Sequence, residues 1–275
     1  MAARCTPEHN RGALIAVGDL PADLTAAQCL APLLGLAGLR PRVLLLHSAA
    51  AHEQARADAD EHLYTALRAA GAGEVAQPML RSRSEAGEPA LLDALDRAEV
   101  LVLACDRPLR LSTLIGGTPL ARAIRRRNAE GAPVIGCGAA AAVLCEHMLA
   151  QGDTAGSTPR SGGAQLAPGI GLTNRLIVDR GGHASDRIGR LLAALALNPC
   201  VLGLGIDAAT AAVIGADNVL EVVGDGGVTL IDPAEMTDCN VLDLQPGAPI
   251  RITNLRLHAM ADGARYDLDF RCTVD

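Results

Sequence analysis

The residues whose types suggest chemistry most directly lie between positions 133 and 144. A short apolar run there meets Gly136-Cys137-Gly138 and then continues into alanines. This order predicts a buried strand, a tight turn and the first turns of a helix. Hydrolases of the α/β class hold their nucleophile at such a corner, above the edge of a sheet. Cys137 is therefore one candidate nucleophile, and the residue after it is Gly138.

Two histidines could assist a nucleophile, but each has a simpler interpretation. His183 lies further along the chain and could act as a base beside Cys137. Alternatively, His183 is an exposed residue of a loop. His147 is expected in the helix after the corner, next to Cys145 and Glu146, where the spacing is not that of a zinc site and suits a solvated face. Adjacent residues of a turn point in different directions, so Cys137 itself fits a small buried residue.

The composition narrows the class of protein. The chain has 275 residues, of which 49% are hydrophobic, but it contains only one Phe, two Tyr and no Trp. So few aromatic rings argue against single-stranded nucleic acid as a partner, because such proteins stack bases on aromatic side chains. The chain contains no Lys, which excludes lysine and Schiff-base chemistry. The net charge of −7 also argues against a polyanionic partner.

The cysteines and the termini indicate a cytoplasmic protein. The eight cysteines show neither zinc-like nor redox CxxC spacing, so we expect reduced, small core residues, and neither a metal nor a cofactor. We see no signal segment and no apolar run approaching ~20 residues. We therefore expect neither secretion nor membrane association.

Apolar runs and helix-period segments alternate through the first half of the chain. Buried strands are predicted at residues 12–18, 42–48, 75–80, 100–105 and 134–135. Helices are predicted at residues 25–36, 50–70, 88–98 and 112–128, the last interrupted by Gly116-Gly117-Thr118-Pro119. This alternation is typical of βαβ units and implies a parallel sheet with helices on both faces.

The second half of the chain has a different pattern. Residues 151–169 lack periodicity and predict a loop, either functional or disordered. A strand at 176–179, a helix at 186–197 and a strand at 201–207 follow. Short antiparallel strands attached to the sheet are then predicted at 211–214, 219–223, 228–232, 250–257 and 266–270. We expect one domain over residues 1–275, with residues 1–11 flexible.

Several segments together resemble the cyanophycinase family of serine-peptidase-type hydrolases. They read Gly12-Ala13-Leu14, Leu109-Arg110-Leu111, Gly116-Gly117-Thr118-Pro119-Leu120, Ile188-Gly189-Arg190-Leu191-Leu192-Ala193-Ala194-Leu195, and Leu202-Gly203-Leu204-Gly205-Ile206-Asp207 with Thr210-Ala211. The resemblance implies a three-layer parallel α/β sheet, flavodoxin-like or class I glutaminase-like, with antiparallel C-terminal strands. It also implies a dimer and a role with cyanophycin, from which family members cleave β-aspartyl-arginine dipeptides.

The same resemblance shows which catalytic groups are missing. The family's nucleophile elbow, Gly-Thr-Ser-Ala-Gly-Ala, here reads Gly136-Cys137-Gly138-Ala139-Ala140-Ala141, so Gly138 occupies the serine position. The family's Asp-Gln-His here reads Asp179-Arg180-Gly181, so Gly181 occupies the histidine position. The family's Gly-Gly-Asp-Gln here reads Ala104-Cys105-Asp106-Arg107, and we expect the charge and bulk of Arg107 to occupy the pocket.

Four residues match family positions that would contact a ligand. The resemblance implies that Asp106, Asp179, Arg187 and Arg190 help to bind the charged dipeptide. An arginine there could bind a carboxylate through two hydrogen bonds. It could equally form a structural ion pair with Asp179 or Asp186. Ser185 replaces a further arginine of the family.

Three functions remain open at this point. The first is a cyanophycinase-like protein without hydrolase activity that binds cyanophycin or its dipeptide, or serves as a regulatory or partner subunit, in a homodimer or with an active paralogue. The second is an active hydrolase that uses the displaced pair Cys137 and His183. The third is a structural subunit without a ligand.

Overall fold

The computed structural model describes residues 11–21, 24–48, 53–152, 156–180 and 188–274. Residues 1–10, most of the segment expected to be flexible, lie outside these ranges. Gly181, His183, Ser185, Asp186 and Arg187 also lie outside the described residues, so the predictions made for them stay predictions.

The apolar runs of the first half form the centre of a mixed sheet, which has ten strands within the described residues. Its parallel strands are β1 (Leu14–Val17), β2 (Arg42–Ser48), β3 (Glu74–Ala76), β4 (Met79–Leu80), β5 (Val100–Cys105) and β6 (Val134–Gly138). Its antiparallel strands are β11 (Thr210–Ile214), β12 (Val219–Gly224), β17 (Arg265–Asp267) and β18 (Cys272–Val274). The order is β18-β17-β12-β11-β1-β6-β5-β2-β3, with β4 beside β2.

Amphipathic helices cover both faces of this sheet. One face packs against α1 (Leu24–Gly35) and α2 (Glu53–Ala69). The other packs against α3 (Pro89–Arg97), α4 (Pro108–Ile115) and α5 (Pro119–Ala129), with a 3-10 turn at Glu85–Gly87. The break predicted near residue 117 separates α4 from α5, because the hydroxyl of Thr118 accepts a hydrogen bond from the amide of Ala121 and caps a new helix.

A smaller sheet adds to the second face. It contains β9 (Leu176–Arg180), β10 (Leu202–Ile206), β13 (Val228–Asp232) and β16 (Arg256–Met260), in the order β16-β13-β10-β9. One side of this sheet joins the main apolar core, and α6 (Ile188–Leu197) packs on its other side. A short ladder joins β14 (Asp238–Cys239) to β15 (Ile252–Thr253), with a 3-10 turn at Val241–Asp243 between them. The predicted α/β class, with parallel central strands and antiparallel C-terminal strands, is confirmed.

The segment after β6 differs from its prediction. A 3-10 helix spans Ala139–Leu144, and His147 begins strand β7 (His147–Gly152) instead of lying in a helix. The helix ends because the backbone of Cys145 bridges to Thr173, and the amide of Glu146 donates to the Thr173 carbonyl at 2.8 Å. The predicted loop 151–169 contains the end of β7 and all of β8 (Ala164–Pro168), which pair as an antiparallel hairpin.

Within the described ranges, no helix is both long enough and apolar enough to cross a membrane.

We predict that Gly136→Ala destabilises the fold. A Cβ atom at Gly136 would lie 2.8 Å from both the Ala140 carbonyl oxygen and the Ala141 Cα, closer than real Cβ contacts allow. Overpacking of this kind costs about 1–3 kcal/mol, measured as a lower free energy of unfolding in urea. Gly35→Ala is the matched control, since a Cβ there meets nothing within 4 Å. Equal stability of Gly136→Ala and the wild type would contradict the close packing.

Candidate functional site

The parallel strands bring their carboxyl ends to one edge of the main sheet. In register, Val17 of β1 and Ala104 of β5 flank Cys137 of β6, and Cys105 of β5 lies opposite Gly138. Ligands of open α/β sheets bind outside this edge, where loops leave the strands. The predicted catalytic corner therefore lies at the expected end of the sheet.

The backbone of Gly138 has the shape of a nucleophile elbow. Its φ of 56° and ψ of −123° place it in a region that glycine tolerates and that strains other residues. Hydrolases use such a sharp strand-to-helix turn to expose a nucleophilic side chain. Here the turn is kept but carries no side chain, so residue 138 has no atom that can attack a carbonyl.

A cavity of about 250 Å³ lies beside this elbow. Its apolar wall comes from the 3-10 helix, through Ala139 and Ala142. Its polar groups come from three other places: the end of β5, strand β9 with helix α6, and the end of β7. They are Asp106, Asp179, Arg190 and Gln151.

The main charged feature of the cavity is the pair Asp179–Arg190. The Arg190 Nε donates to Asp179 Oδ2 at 2.9 Å, and Arg190 Nη2 donates to Asp179 Oδ1. The side chains of Asp179 and Arg190 are only 7% and 11% exposed. Removing one partner of a buried pair costs about 3–5 kcal/mol, because the other charge loses its compensation. The ion pair predicted as one alternative therefore forms, and both residues still line the cavity.

The two residues after β5 differ in their relation to the cavity. Asp106 is exposed and lines the cavity, as the predicted ligand-binding position requires. Arg107 is exposed too, but it is not among the residues that line the cavity, so its expected place in the pocket stays a prediction. Arg107 has extended backbone, with φ of −125° and ψ of 107°, and it precedes the first residue of α4, Pro108.

Cys137 lies on the face of the sheet away from the cavity. Side chains alternate along β6, so Cys137 joins the core under α1 and α2, near Cys29, while the next residue forms the elbow. It is 7% exposed, and burial together with Cys29 raises the pKa of its thiol to about 12. The thiol is protonated at neutral pH and faces away from the cavity, so the geometry argues against Cys137 as the nucleophile.

Of the remaining predictions for histidine and cysteine residues, some agree with the structure and some do not. His147 is exposed, as expected, although it lies on a strand. Cys29, Cys105 and Cys145 are buried, but Cys200 and Cys272 are exposed, so not every cysteine is a core residue. Within the described ranges, no three His, Cys, Asp or Glu side chains are grouped closely enough to hold a metal ion.

The contribution of the β7–β8 hairpin to the cavity was not predicted from the sequence pattern. Gln151 and Gly152, at the end of β7, line the cavity. The residues of β7 do alternate in part between buried and exposed positions, which is the usual signal of a strand. The glycine and serine residues that follow β7 favour a loop, so the sequence pattern predicted a loop there instead of a hairpin.

Comparison with other proteins identifies the family. The chain is 33% identical over 270 residues to a cyanophycinase of Synechococcus elongatus, covering 97% of this chain and 83% of that protein. It is 31% identical over 264 residues to a cyanophycinase of Trichormus variabilis, covering 96% and 88%. No family model matches the chain. At this identity and coverage, the chain belongs to the cyanophycinase family.

Two solved structures share the fold. A peptidase from an acI-B1 actinobacterium superposes with a TM-score of 0.64 at 20% identity, covering 90% of this chain and 96% of that one. A protein described as a putative peptidase E from Listeria monocytogenes gives a TM-score of 0.51 at 13% identity, covering 78% and 98%. These matches support the peptidase-type α/β fold.

We predict that Cys137 is unreactive in the folded protein. Treatment with a maleimide at neutral pH, followed by peptide mass spectrometry, should find modification at the exposed Cys200 and Cys272 and little at Cys137. The thiolate is the reactive form, and burial disfavours it. Denatured protein serves as the control and should react at all three. Rapid labelling of Cys137 in folded protein would contradict its placement.

We also predict that the fold loses stability at alkaline pH. Burial raises the thiol pKa of Cys29 to about 11 and of Cys137 and Cys145 to about 12, whereas an unfolded thiol titrates near about 8.5. Because the folded values are higher, this stability is complete below about pH 8.5 and is lost as pH rises toward the folded values. The buried Tyr266, whose pKa is raised to about 12, acts in the same direction above about pH 10.

Urea unfolding at a series of pH values tests this alkaline effect. We expect the free energy of unfolding to fall between about pH 8.5 and 10.5, by up to about 1.4 kcal/mol per pH unit for each titrating thiol. Cys137→Ala should make the fall less steep. A stability that stays constant over this range would contradict burial of the thiols.

Proposed function

We propose that this member of the cyanophycinase family binds cyanophycin, or the β-aspartyl-arginine dipeptide, without hydrolysing it. It would act as a binding, regulatory or partner subunit in cyanophycin metabolism. The observation that carries the proposal is Gly138, which keeps the backbone of a nucleophile elbow and lacks the nucleophile. The predicted replacement of the catalytic base by Gly181 also supports the proposal.

The charges around the cavity suit a ligand of this chemistry. A guanidinium has five N–H donors, and the bonds from Arg190 to Asp179 use two of them. The other donors of Arg190 can bind a ligand carboxylate. Asp106 presents a carboxylate at the same cavity, which can accept two hydrogen bonds from the guanidinium of a ligand arginine. A β-aspartyl-arginine unit carries both of these groups.

Among the described residues, the corner beside this cavity offers no group placed to attack an amide, which supports binding over hydrolysis. Attack on an amide requires a nucleophile at the elbow and a base that takes its proton. Residue 138 supplies no hydroxyl, and Cys137 is buried on the opposite face of the sheet. Binding without cleavage is therefore the function that this arrangement supports best.

We predict binding without turnover. Purified protein incubated with cyanophycin should release no β-aspartyl-arginine above the buffer blank, measured by liquid chromatography and mass spectrometry. Isothermal titration calorimetry should detect binding of β-aspartyl-arginine. Asp106→Asn should weaken that binding by about tenfold or more, because it removes a charged hydrogen-bond acceptor.

The matched control is Asp93→Asn, which makes the same change at an exposed position on α3, outside the residues that line the cavity. It should leave affinity unchanged. Release of dipeptide that disappears in Cys137→Ala would establish the active hydrolase instead. Absence of both turnover and binding would leave a structural subunit.

The proposal includes a dimer, formed by two copies of this chain or with an active paralogue. This part is supported only by family membership. Light scattering on the purified chain, alone and mixed with an active cyanophycinase from the same genome, separates the two forms. A monomer in both samples would contradict it.

A further inference from the structure

The end of β7 lies against the side chain of Arg190. Gly152 pairs in register with Ala164 of β8 and lines the cavity. A Cβ atom at Gly152 would lie 2.6 Å from Arg190 Cδ and 2.9 Å from Arg190 Cγ. Both distances are shorter than real Cβ contacts, so the aliphatic part of Arg190 occupies the space that a side chain at position 152 would need.

Arg190 cannot move aside at low cost. Its Cα is fixed in α6, and its guanidinium is fixed by two hydrogen bonds to Asp179. The side chain is only 11% exposed. A shift of Cγ and Cδ would therefore disturb the guanidinium, which is the group that faces the cavity.

We infer that Gly152 is a positioning residue for Arg190. By lacking a side chain, it lets the arginine lie across the hairpin and hold its guanidinium against Asp179, at the wall of the cavity. The effect on a ligand rests on the proposed function, in which Arg190 binds a carboxylate of β-aspartyl-arginine. The hairpin, which the sequence pattern did not reveal, thus sets the geometry of the main cationic group at this site.

A simple loss of function in Gly152→Ala would not establish this role. The same Cβ would also lie 2.4 Å from the carbonyl oxygen of Gly163, within the hairpin itself. The effect through Arg190 must therefore be separated from the effect on the hairpin. A double-mutant cycle makes this separation, because residues that act through each other are not additive.

The experiment compares Gly152→Ala, Arg190→Ala and the double variant, with β-aspartyl-arginine as the calorimetric probe. Gly152→Ala should weaken binding about tenfold or more, as expected when a charged hydrogen bond is lost. In the Arg190→Ala background, the same change should alter the affinity by less than about twofold. Gly35→Ala, where a Cβ meets nothing within 4 Å, should have no effect. Unchanged affinity in Gly152→Ala, or equal losses in both backgrounds, would overturn the inference.

A second readout does not depend on the ligand. In urea, Gly152→Ala should lower the unfolding midpoint more in the wild-type background than in the Arg190→Ala background, where the crowding is relieved. If Gly152→Ala does not fold, recovery of folding in the double variant supports the inference. Failure of the double variant while Arg190→Ala alone folds contradicts it. If the wild type binds no dipeptide, the proposed function is contradicted. The urea unfolding midpoints of the variants then still test whether Gly152 positions Arg190.

Discussion

Close backbone packing at the end of β6 is the constraint on which the rest of the site depends. Gly136 lies against the backbone of Ala140 and Ala141, so the chain must turn sharply as it leaves the sheet. The positive φ of Gly138 makes that turn. The turn directs the 3-10 helix back over the sheet, where its alanines form one wall of the cavity. A serine at an elbow of this shape would carry backbone strain, and glycine at position 138 avoids that strain.

The charged part of the site is organised independently of the corner. Asp179 comes from the smaller sheet, Arg190 from α6 and Asp106 from the end of β5. None of these positions requires a nucleophile in order to be held in place. A glycine at position 138 is therefore compatible with a cavity that keeps both charges. The proposed function, binding without hydrolysis, rests on this separation.

Much of the fold could be predicted from the sequence, since buried parallel strands are continuous apolar runs and their helices have a clear period. The strands β1, β2, β5 and β6 follow from such runs. The β7–β8 hairpin could not be predicted in this way, because its strands are short and their pairing depends on contacts across a glycine-rich turn. The 3-10 form of Ala139–Leu144 also depends on tertiary contacts, since an alanine run equally favours an α-helix.

The candidate site also has features that could be predicted from the sequence and features that could not. The missing hydroxyl at Gly138 and the pairing of Asp179 with Arg190 could be anticipated from residue types and from the family resemblance. The difference between Asp106, which lines the cavity, and Arg107, which is not among the lining residues, could not be anticipated, because it depends on how the backbone leaves β5 and enters α4. The role of Gly152 was equally hidden, since nothing local to a glycine indicates which distant side chain lies against it.

A crystal structure of the protein grown with a short cyanophycin segment, made of two linked β-aspartyl-arginine units, tests binding without cleavage most directly. We predict an intact segment in the cavity, with a carboxylate on Arg190, a guanidinium on Asp106, and Gly138 still at positive φ. A segment cleaved between its two units, a covalent adduct on Cys137, or a segment bound away from this cavity would contradict the proposal.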